Sequence, residues 1–256
     1  MQLFFDTGSA DSYANRSQKI RVLTESWVDE TIFCPNCGRS EIDKYPNNQP
    51  VADFYCSSCR EQYELKSKSG NVGHKIVDGA YGTMIKRLQD SDNPNFFLLS
   101  YDLHKLAVKD FMVVPKHFFV PGIIEKRKPL SDTARRAGWV GCNILLGHIP
   151  QSGKIFYVQN GRVESKKKIL ADWQKTLFLR DEQEVTTKGW LLDTMLCIER
   201  IGKKDFTLDD MYAFEASLRK KHPQNGHVKD KIRQQLQVLR DNGYLEFTGR
   251  GNYRVK

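Results

Sequence analysis

The sequence predicts an α/β (α+β) core over residues 1–182 with a four-cysteine zinc ribbon inserted at 33–60, followed by a C-terminal winged-helix domain over 183–256. Three observations predict it. Two Cys-x-x-Cys pairs lie at ribbon spacing. Strand-sized apolar runs alternate with helical periodicities through the first two thirds of the chain. The remainder reads as short amphipathic helices leading into a β-hairpin. At 256 residues there is enough chain to bury one large core or two smaller ones.

Residues 15–28 predict a helix, with Ile20, Leu23 and Trp27 at helical spacing. The cysteine-rich stretch follows, punctuated by Gly38, Pro46 and Pro50, and the segments 51–55 and 62–66 alternate as short strands. Residues 74–88 predict a second helix, carrying Ile76, Ala80, Met84, Ile85 and Leu88. The segments 95–101, 110–114, 142–146 and 154–158 are rich in aromatic and branched residues and predict strands. Residues 179–188 are polar and predict a linker. After it, 190–198 gives one helix, and Thr207 opens another, with Asp210 in the capping-box position and Phe206 against Met211 as a hydrophobic staple. Residues 227–240 give the third helix. The segments 244–247 and 252–255, joined by Thr248-Gly249-Arg250-Gly251, read as a hairpin.

The net charge of +9 points to an anionic partner, most often nucleic acid. No apolar run is long enough to span a bilayer, since stretches such as 96–99 and 111–114 are strand-sized. The N-terminus lacks a basic region followed by an apolar core, so no secretory signal is expected. Four of the six cysteines fall in the two pairs, and Cys142 and Cys197 stand alone in apolar contexts as core residues. That usage predicts a reducing, cytoplasmic setting with a metal site, not a disulfide framework.

Cys34 and Cys37 are separated from Cys56 and Cys59 by the 18 positions 38–55, inside the range of a four-thiolate zinc ribbon. Two-residue spacing lets both thiolates of one turn reach the same ion, and four thiolates leave no open coordination position. The predicted role of Zn²⁺ is therefore structural.

Asp53 and Glu64 flank the second pair. If their segments pair antiparallel, the two carboxylates converge on one divalent cation, and hard oxygen ligands suit Mg²⁺ or Mn²⁺. Glu64 and Lys66 are two apart, on one face of a strand, so the lysine can assist a water while the cation polarises a phosphate. On spacing alone, an Asp followed by Glu-x-Lys also fits a solvated charged hairpin. The strand contexts Val51-Ala52-Asp53-Phe54-Tyr55 and Glu64-Leu65-Lys66, pinned by the ribbon, favour the catalytic reading.

These residues carry a resemblance. Pro50 to Cys56, Glu64-Leu65-Lys66-Ser67-Lys68 and Asp78-Gly79-Ala80-Tyr81 resemble the PD-(D/E)xK nuclease superfamily, and more closely its DpnI-type methyl-directed restriction endonucleases. The likeness extends to Ser17-Gln18-Lys19, 93–97, 133–139 and 231–240, and so covers nearly the whole chain. It departs from the superfamily's short motif in having Val51-Ala52 before Asp53, with Pro50 three positions earlier. The resemblance implies a restriction-endonuclease-like core. It also implies a prokaryotic, Mg²⁺-dependent enzyme that cuts double-stranded DNA at GATC bearing N6-methyladenine. By position, it implies that Asp53 and Glu64 bind the metal, Leu65 offers a backbone carbonyl, Lys66 assists the water, and Cys34, Cys37, Cys56 and Cys59 hold zinc.

In the C-terminal domain, Val228, Ile232, Leu236 and Leu239 share one face of the third helix, and His227, Asp230, Lys231, Arg233, Gln234 and Gln237 share the other. Such a helix fits the major groove, where Arg and Gln read base edges. Arg250, Tyr253 and Arg254 in the wing would meet phosphates or the minor groove. From residue 186 onward there are 14 Lys/Arg against 9 Asp/Glu, so this stretch supplies +5 of the total charge. One buried methyl contributes only about 0.8 kcal/mol, so methyl discrimination also needs a site that penalises the bare amine. Trp139, close to Arg135 and Arg136, is the predicted wall of a methyl-adenine pocket, with ordinary core packing as the bland alternative. Methyl and sequence readout are expected to be shared between the two domains. No dimerisation helix is apparent, and a monomer in solution is expected. Two further readings stand beside this one: a methylation-indifferent or structure-selective nuclease, and a non-catalytic DNA-binding regulator.

Overall fold

The computed structural model describes residues 1–46, 52–88, 93–182 and 184–256. Val51 of the predicted first catalytic strand, and Pro50 before it, lie outside the described residues. The chain divides into two compact units: Met1–Gly147 with Ser152–Gln174, and His148–Gln151 with Lys175–Lys256.

In the first unit, helix α1 (Arg16–Thr31) begins where the periodicity places it, because the Asn15 side chain accepts from the backbone N–H groups of Ser17 and Gln18. It buries Leu23, Trp27 and Val28 and runs three residues beyond the predicted end. There follow β1 (Asp43–Lys44), β2 (Phe54–Tyr55), β3 (Gln62–Ser69), β4 (Lys75–Ala80), α2 (Tyr81–Arg87), β5 (Asn95–Asp102) and β6 (Ala107–Val114). The unit closes with β7 (Ile124–Lys126), β8 (Gly141–Leu145), β9 (Ile155–Gln159), β10 (Arg162–Val163) and α3 (Lys166–Gln174).

Seven strands form one mixed sheet in the order β1-β2-β3-β5-β6-β9-β10, with β3 and β5 its parallel pair. Strand β5 is buried from Asn95 to Tyr101, as its unbroken apolar run requires of a strand covered on both faces. Tyr63 of β3 stacks on Phe97 of β5, ring centroids 4.4 Å apart, so the strand that precedes Glu64 is locked to the centre of the core.

The second sheet, in the order β4-β8-β7, overturns part of the predicted helix over 74–88. Only Tyr81–Arg87 is helical. Ile76 and Val77 are branched at Cβ and Gly79 is a weak helix former, so this segment gains more by pairing its backbone with β8 than by coiling.

The second unit contains α4 (Phe178–Asp181), α5 (Val185–Ile201), β11 (Asp205–Thr207), α6 (Leu208–Tyr212), α7 (Glu215–Lys221), α8 (Val228–Asp241), β12 (Leu245–Gly249) and β13 (Asn252–Val255). The stretch predicted as a linker is largely helical: Leu179 is fully buried in α4, and α5 starts at Val185. The helix opened by Thr207 carries the predicted capping box, with Thr207 and Asp210 bonded reciprocally, and both staple residues Phe206 and Met211 are buried. It breaks at Ala213 and Phe214 and resumes as α7. The hairpin β12–β13 gains a third strand, β11, giving the order β11-β13-β12 of a winged helix. Against α5, the His222 ring stacks on Trp190 at 4.0 Å, and its Nε2 lies 2.9 Å from Asp193 Oδ2.

Candidate active site

The second cysteine pair forms the turn between β2 and β3. Phe54 pairs with Tyr63 and Tyr55 with Gln62, antiparallel, and Asp53 stands in a bend immediately before β2, not in the strand itself. The Asp53 N–H donates to Tyr63 O at 3.0 Å, a step out of the β2–β3 register, since Phe54 is already the partner of Tyr63. Its carboxylate Oδ2 accepts from the Leu65 N–H at 2.7 Å. In an extended strand the N–H and C=O of one residue point to the same edge, so the Leu65 carbonyl lies on the edge that Asp53 occupies.

Lys66 follows on the face of Glu64. Its Nζ lies 2.5 Å from Glu64 Oε1 and 2.5 Å from Asp78 Oδ1, so one ammonium bridges two carboxylates. Arg87 Nη1 approaches the other Glu64 oxygen at 3.9 Å. Burial pushes the Glu64 carboxyl up, and the charges of Asp78 and Asp53 add to this; Lys66 opposes them without cancelling the rise. Burial works to lower Lys66, but Glu64 and Asp78 outweigh it and leave the ammonium above its ordinary value. Two acids, a lysine and a backbone carbonyl facing one edge can hold a hard divalent cation and present a water beside it. Asp78 was not among the predicted site residues.

The four predicted cysteines come together. Their Sγ atoms all lie within 4.8 Å of one another, with Cys34 3.5 Å from Cys59 and Cys37 3.6 Å from Cys56. Zn–S bonds of about 2.3 Å in a tetrahedron put sulfurs about 3.8 Å apart, so this spacing fits Zn²⁺ closely. Each pair sits in a turn whose last thiolate is followed by a left-handed residue, Gly38 at φ 77° and Arg60 at φ 62°. The ribbon is anchored to the core. The Tyr63 hydroxyl lies 3.2 Å from Cys34 Sγ, the Tyr157 hydroxyl donates to Phe33 O, and Trp173 Nε1 donates to Asn36 Oδ1 at 2.9 Å.

Trp139 lies in the loop between β7 and β8 and is half-buried, not a core residue. The Arg136 guanidinium sits over its ring at 4.8 Å, while Arg135 is exposed. The ring also rests close to Gly141, where a Cβ would come within 2.7 Å of Cη2.

In the second unit, α8 buries Val228, Ile232, Leu236 and Leu239 as predicted, and also Gln235, a polar residue that the pattern did not assign to the core. Arg233, Gln234 and Gln237 are exposed, Lys231 is half-buried, and exposed His227 occupies the N-cap. Arg233 is held by Asp230 at 2.5 Å. In the wing Arg250 is exposed, Arg254 pairs with Asp205 at 2.7 Å, and Tyr253 stacks on Phe206 with ring centroids 5.5 Å apart. The predicted reading face thus contains both unpaired polar groups and residues already engaged within the fold.

Taken together, a mixed sheet with an acidic hairpin, a four-thiolate ribbon and a winged helix define a nuclease-type chain with its own DNA-binding unit. A family model described as the Dam-replacing family, DpnI, matches residues 1–182, and one described as a Dam-replacing HTH domain matches residues 186–255. The chain belongs to this DpnI family. It is a methylation-dependent DNA endonuclease with a helix-turn-helix domain, and among its described residues no helix is long and apolar enough to cross a membrane.

Proposed function

We propose that the chain hydrolyses phosphodiester bonds of double-stranded DNA at GATC bearing N6-methyladenine, with Mg²⁺ held by Asp53, Glu64 and the Leu65 carbonyl. The observation that supports the catalytic half is the Asp53 carboxylate bonded to the Leu65 amide, between Glu64 and a Lys66 that is paired to Glu64. The GATC target and the N6-methyl requirement rest on membership of the Dam-replacing family. When bound, Mg²⁺ supplies Lewis acidity toward the scissile phosphate and its water.

The residues do the rest. The Leu65 amide orients Asp53. Lys66 orients the attacking water and offsets the charge that builds on the phosphate as the water oxygen bonds to phosphorus and the ester oxygen leaves. In this reading residues 1–182 cut and residues 183–256 read sequence. Lys231, Arg233, Gln234 and Gln237 face the major groove with His227 at its entrance, Arg250, Tyr253 and Arg254 meet the backbone, and Arg135 and Arg136 grip DNA beside the nuclease. Trp139 walls the methyl-adenine pocket, so both domains take part in readout. The enzyme acts in the cytoplasm of a prokaryote and is a monomer in solution.

The test is digestion of one plasmid prepared with and without adenine methylation at GATC, in Mg²⁺, with Asp53→Ala as control. Cleavage of the methylated form alone, lost in the mutant, is expected. Cleavage of both forms sinks the methyl requirement; cleavage of neither brings the regulator reading forward.

A further inference from the structure

Lys66 has two anionic partners, and the proposed chemistry gives one of them, Glu64, a second task. A Glu64 that ligates a cation divides its charge between the metal and the ammonium, whereas Asp78 is not among the proposed metal ligands. Asp78 is the partner that stays. Its side chain is 5% exposed, its Oδ1 lies 2.5 Å from Lys66 Nζ, and it belongs to a different sheet from the hairpin. A long, unbranched lysine side chain samples many rotamers unless something fixes its end. We propose that Asp78 is the positioning residue that holds Lys66 in its working orientation, an inference that rests on the catalytic reading of Asp53, Glu64 and Lys66.

The backbone is built to deliver this carboxylate. Strand β4 pairs Asp78 with Cys142 and Ala80 with Gly141, so the ladder shifts register at Gly79. Such bulges re-aim a neighbouring side chain and are frequent beside active sites. The irregular step is held in place, since Cys142 Sγ donates to Gly79 O at 3.4 Å. Strand β8 leads directly out of the loop that carries Arg136 and Trp139, and the Tyr81 N–H bonds to Val140 O at 3.0 Å, three residues beyond Asp78. Lys66 is therefore gripped from two directions: by its own strand through Glu64, and by the sheet next to the proposed methyl pocket through Asp78.

The experiment is single-turnover cleavage of a methylated GATC duplex by Asp78→Asn, beside wild type and Lys66→Ala, in Mg²⁺ and below the melting temperature of every variant. Affinity for the same duplex is measured with Ca²⁺ in place of Mg²⁺. The asparagine keeps the shape and removes the charge. Loss of a residue that orients a metal-site group typically costs roughly 10- to 100-fold in activity, and that loss is expected in the cleavage rate with affinity unchanged. A wild-type rate in Asp78→Asn, beside a crippled Lys66→Ala, overturns the role of Asp78 and leaves the catalytic reading intact. Rate and affinity falling in equal proportion also overturns it, because that is the signature of a damaged fold. A wild-type rate in Lys66→Ala removes the catalytic reading itself, and this inference with it. If Asp78→Asn does not fold, Asp78→Glu keeps the charge and shifts it by one methylene. Slower cleavage at unchanged affinity then supports the proposal, and an unchanged rate overturns it.

Discussion

Gly141→Ala tests whether Trp139 reads the methyl group, because its effect on the ring follows from the structure. The added Cβ would lie 2.7 Å from Cη2 and 2.8 Å from Cζ3 of Trp139, where ordinary contact begins at 3.4 Å. Relief requires a displacement of about 0.7 Å, the difference between 3.4 and 2.7 Å. The backbone of Gly141 is committed to pairing with β4, whereas the ring is half-exposed and carries the exposed Arg136 guanidinium over one face, so the ring moves. Loss of that cation–π contact costs on the order of 0.5–1 kcal/mol, and replacing a glycine in an extended, non-strained position returns a similar amount through the unfolded chain. The melting temperature should therefore change little. Recognition should change much more, since catalytic and binding groups tolerate about 0.5 Å of misplacement. The assay is the ratio of single-turnover rates on methylated and unmethylated GATC duplexes. A marked fall in that ratio is expected, with Trp139→Ala falling at least as far. If the ratio holds in both variants, Trp139 is not a wall of the methyl pocket and the reasoning fails.

Four other outcomes follow from the same structure. Purified protein should carry one Zn²⁺ per four-cysteine cluster by elemental analysis, and Cys59→Ala should lower both zinc content and melting temperature; full zinc-independent stability would rule out the ribbon. Burial works to raise Asp193, but hydrogen bonds from His222 and Lys221 outweigh it and hold the carboxylate below its ordinary value of 3.8. A depressed pKa contributes stability that is complete above 3.8 and drains as pH falls toward the lower folded value. Asp193→Asn should thus lose stability at neutral pH and show a shallower acid limb in a pH-dependent melt. Thr207→Ala removes the capping box and should cost about 1 kcal/mol in chemical denaturation of the second unit, with no change in the nuclease chemistry. Arg250→Ala in the exposed wing should weaken DNA binding on all sequences alike and reduce the slope of log affinity against log salt by about 0.9.

Much of the fold was legible because local and global preferences agree. Strand β5 is a run of apolar residues too short for a helix, and it lies buried at the sheet's centre. Asn15 and Thr207 mark helix starts through side-chain bonds that depend on three or four neighbouring residues only. The four thiolates were readable from spacing because a metal imposes its own geometry on the chain. The segment 74–88 was misread because Ile76, Ala80, Met84 and Leu88 satisfy a helical period, while the alternation of Ile76, Asp78 and Ala80 satisfies a strand period equally well. Pairing with β8 decides between them, and that partner is more than 60 residues away. Asp78 was missed for the same reason: on a helix it is one polar residue among several, and only as a strand residue beside a bulge does it reach Lys66. Alternation around Gly79 was the available signal. The polarity of residues 179–188 predicts a linker, yet Leu179 is buried within α4 and Val185 begins a long helix.

The position of the zinc ribbon gives the hairpin register a physical cause. A free two-strand hairpin in water is marginal, and a slip of one residue would turn Glu64 and Lys66 to the opposite face of the sheet. Here the connection between β2 and β3 is the turn that holds Cys56 and Cys59, and Cys34 and Cys37 clamp that turn to the end of α1. Tyr63 then ties β3 to Cys34 through its hydroxyl and to β5 through its ring. The spacing that closes the thiolate site therefore also brings the Asp53 carboxylate to β3, onto the Leu65 amide next to Glu64. It follows that zinc loss should abolish cleavage before it unfolds the chain. Under graded chelation, activity is expected to fall while the near-UV signature of the buried aromatics persists. Activity that declines only in step with unfolding would show that the ribbon stabilises the domain without setting its catalytic register.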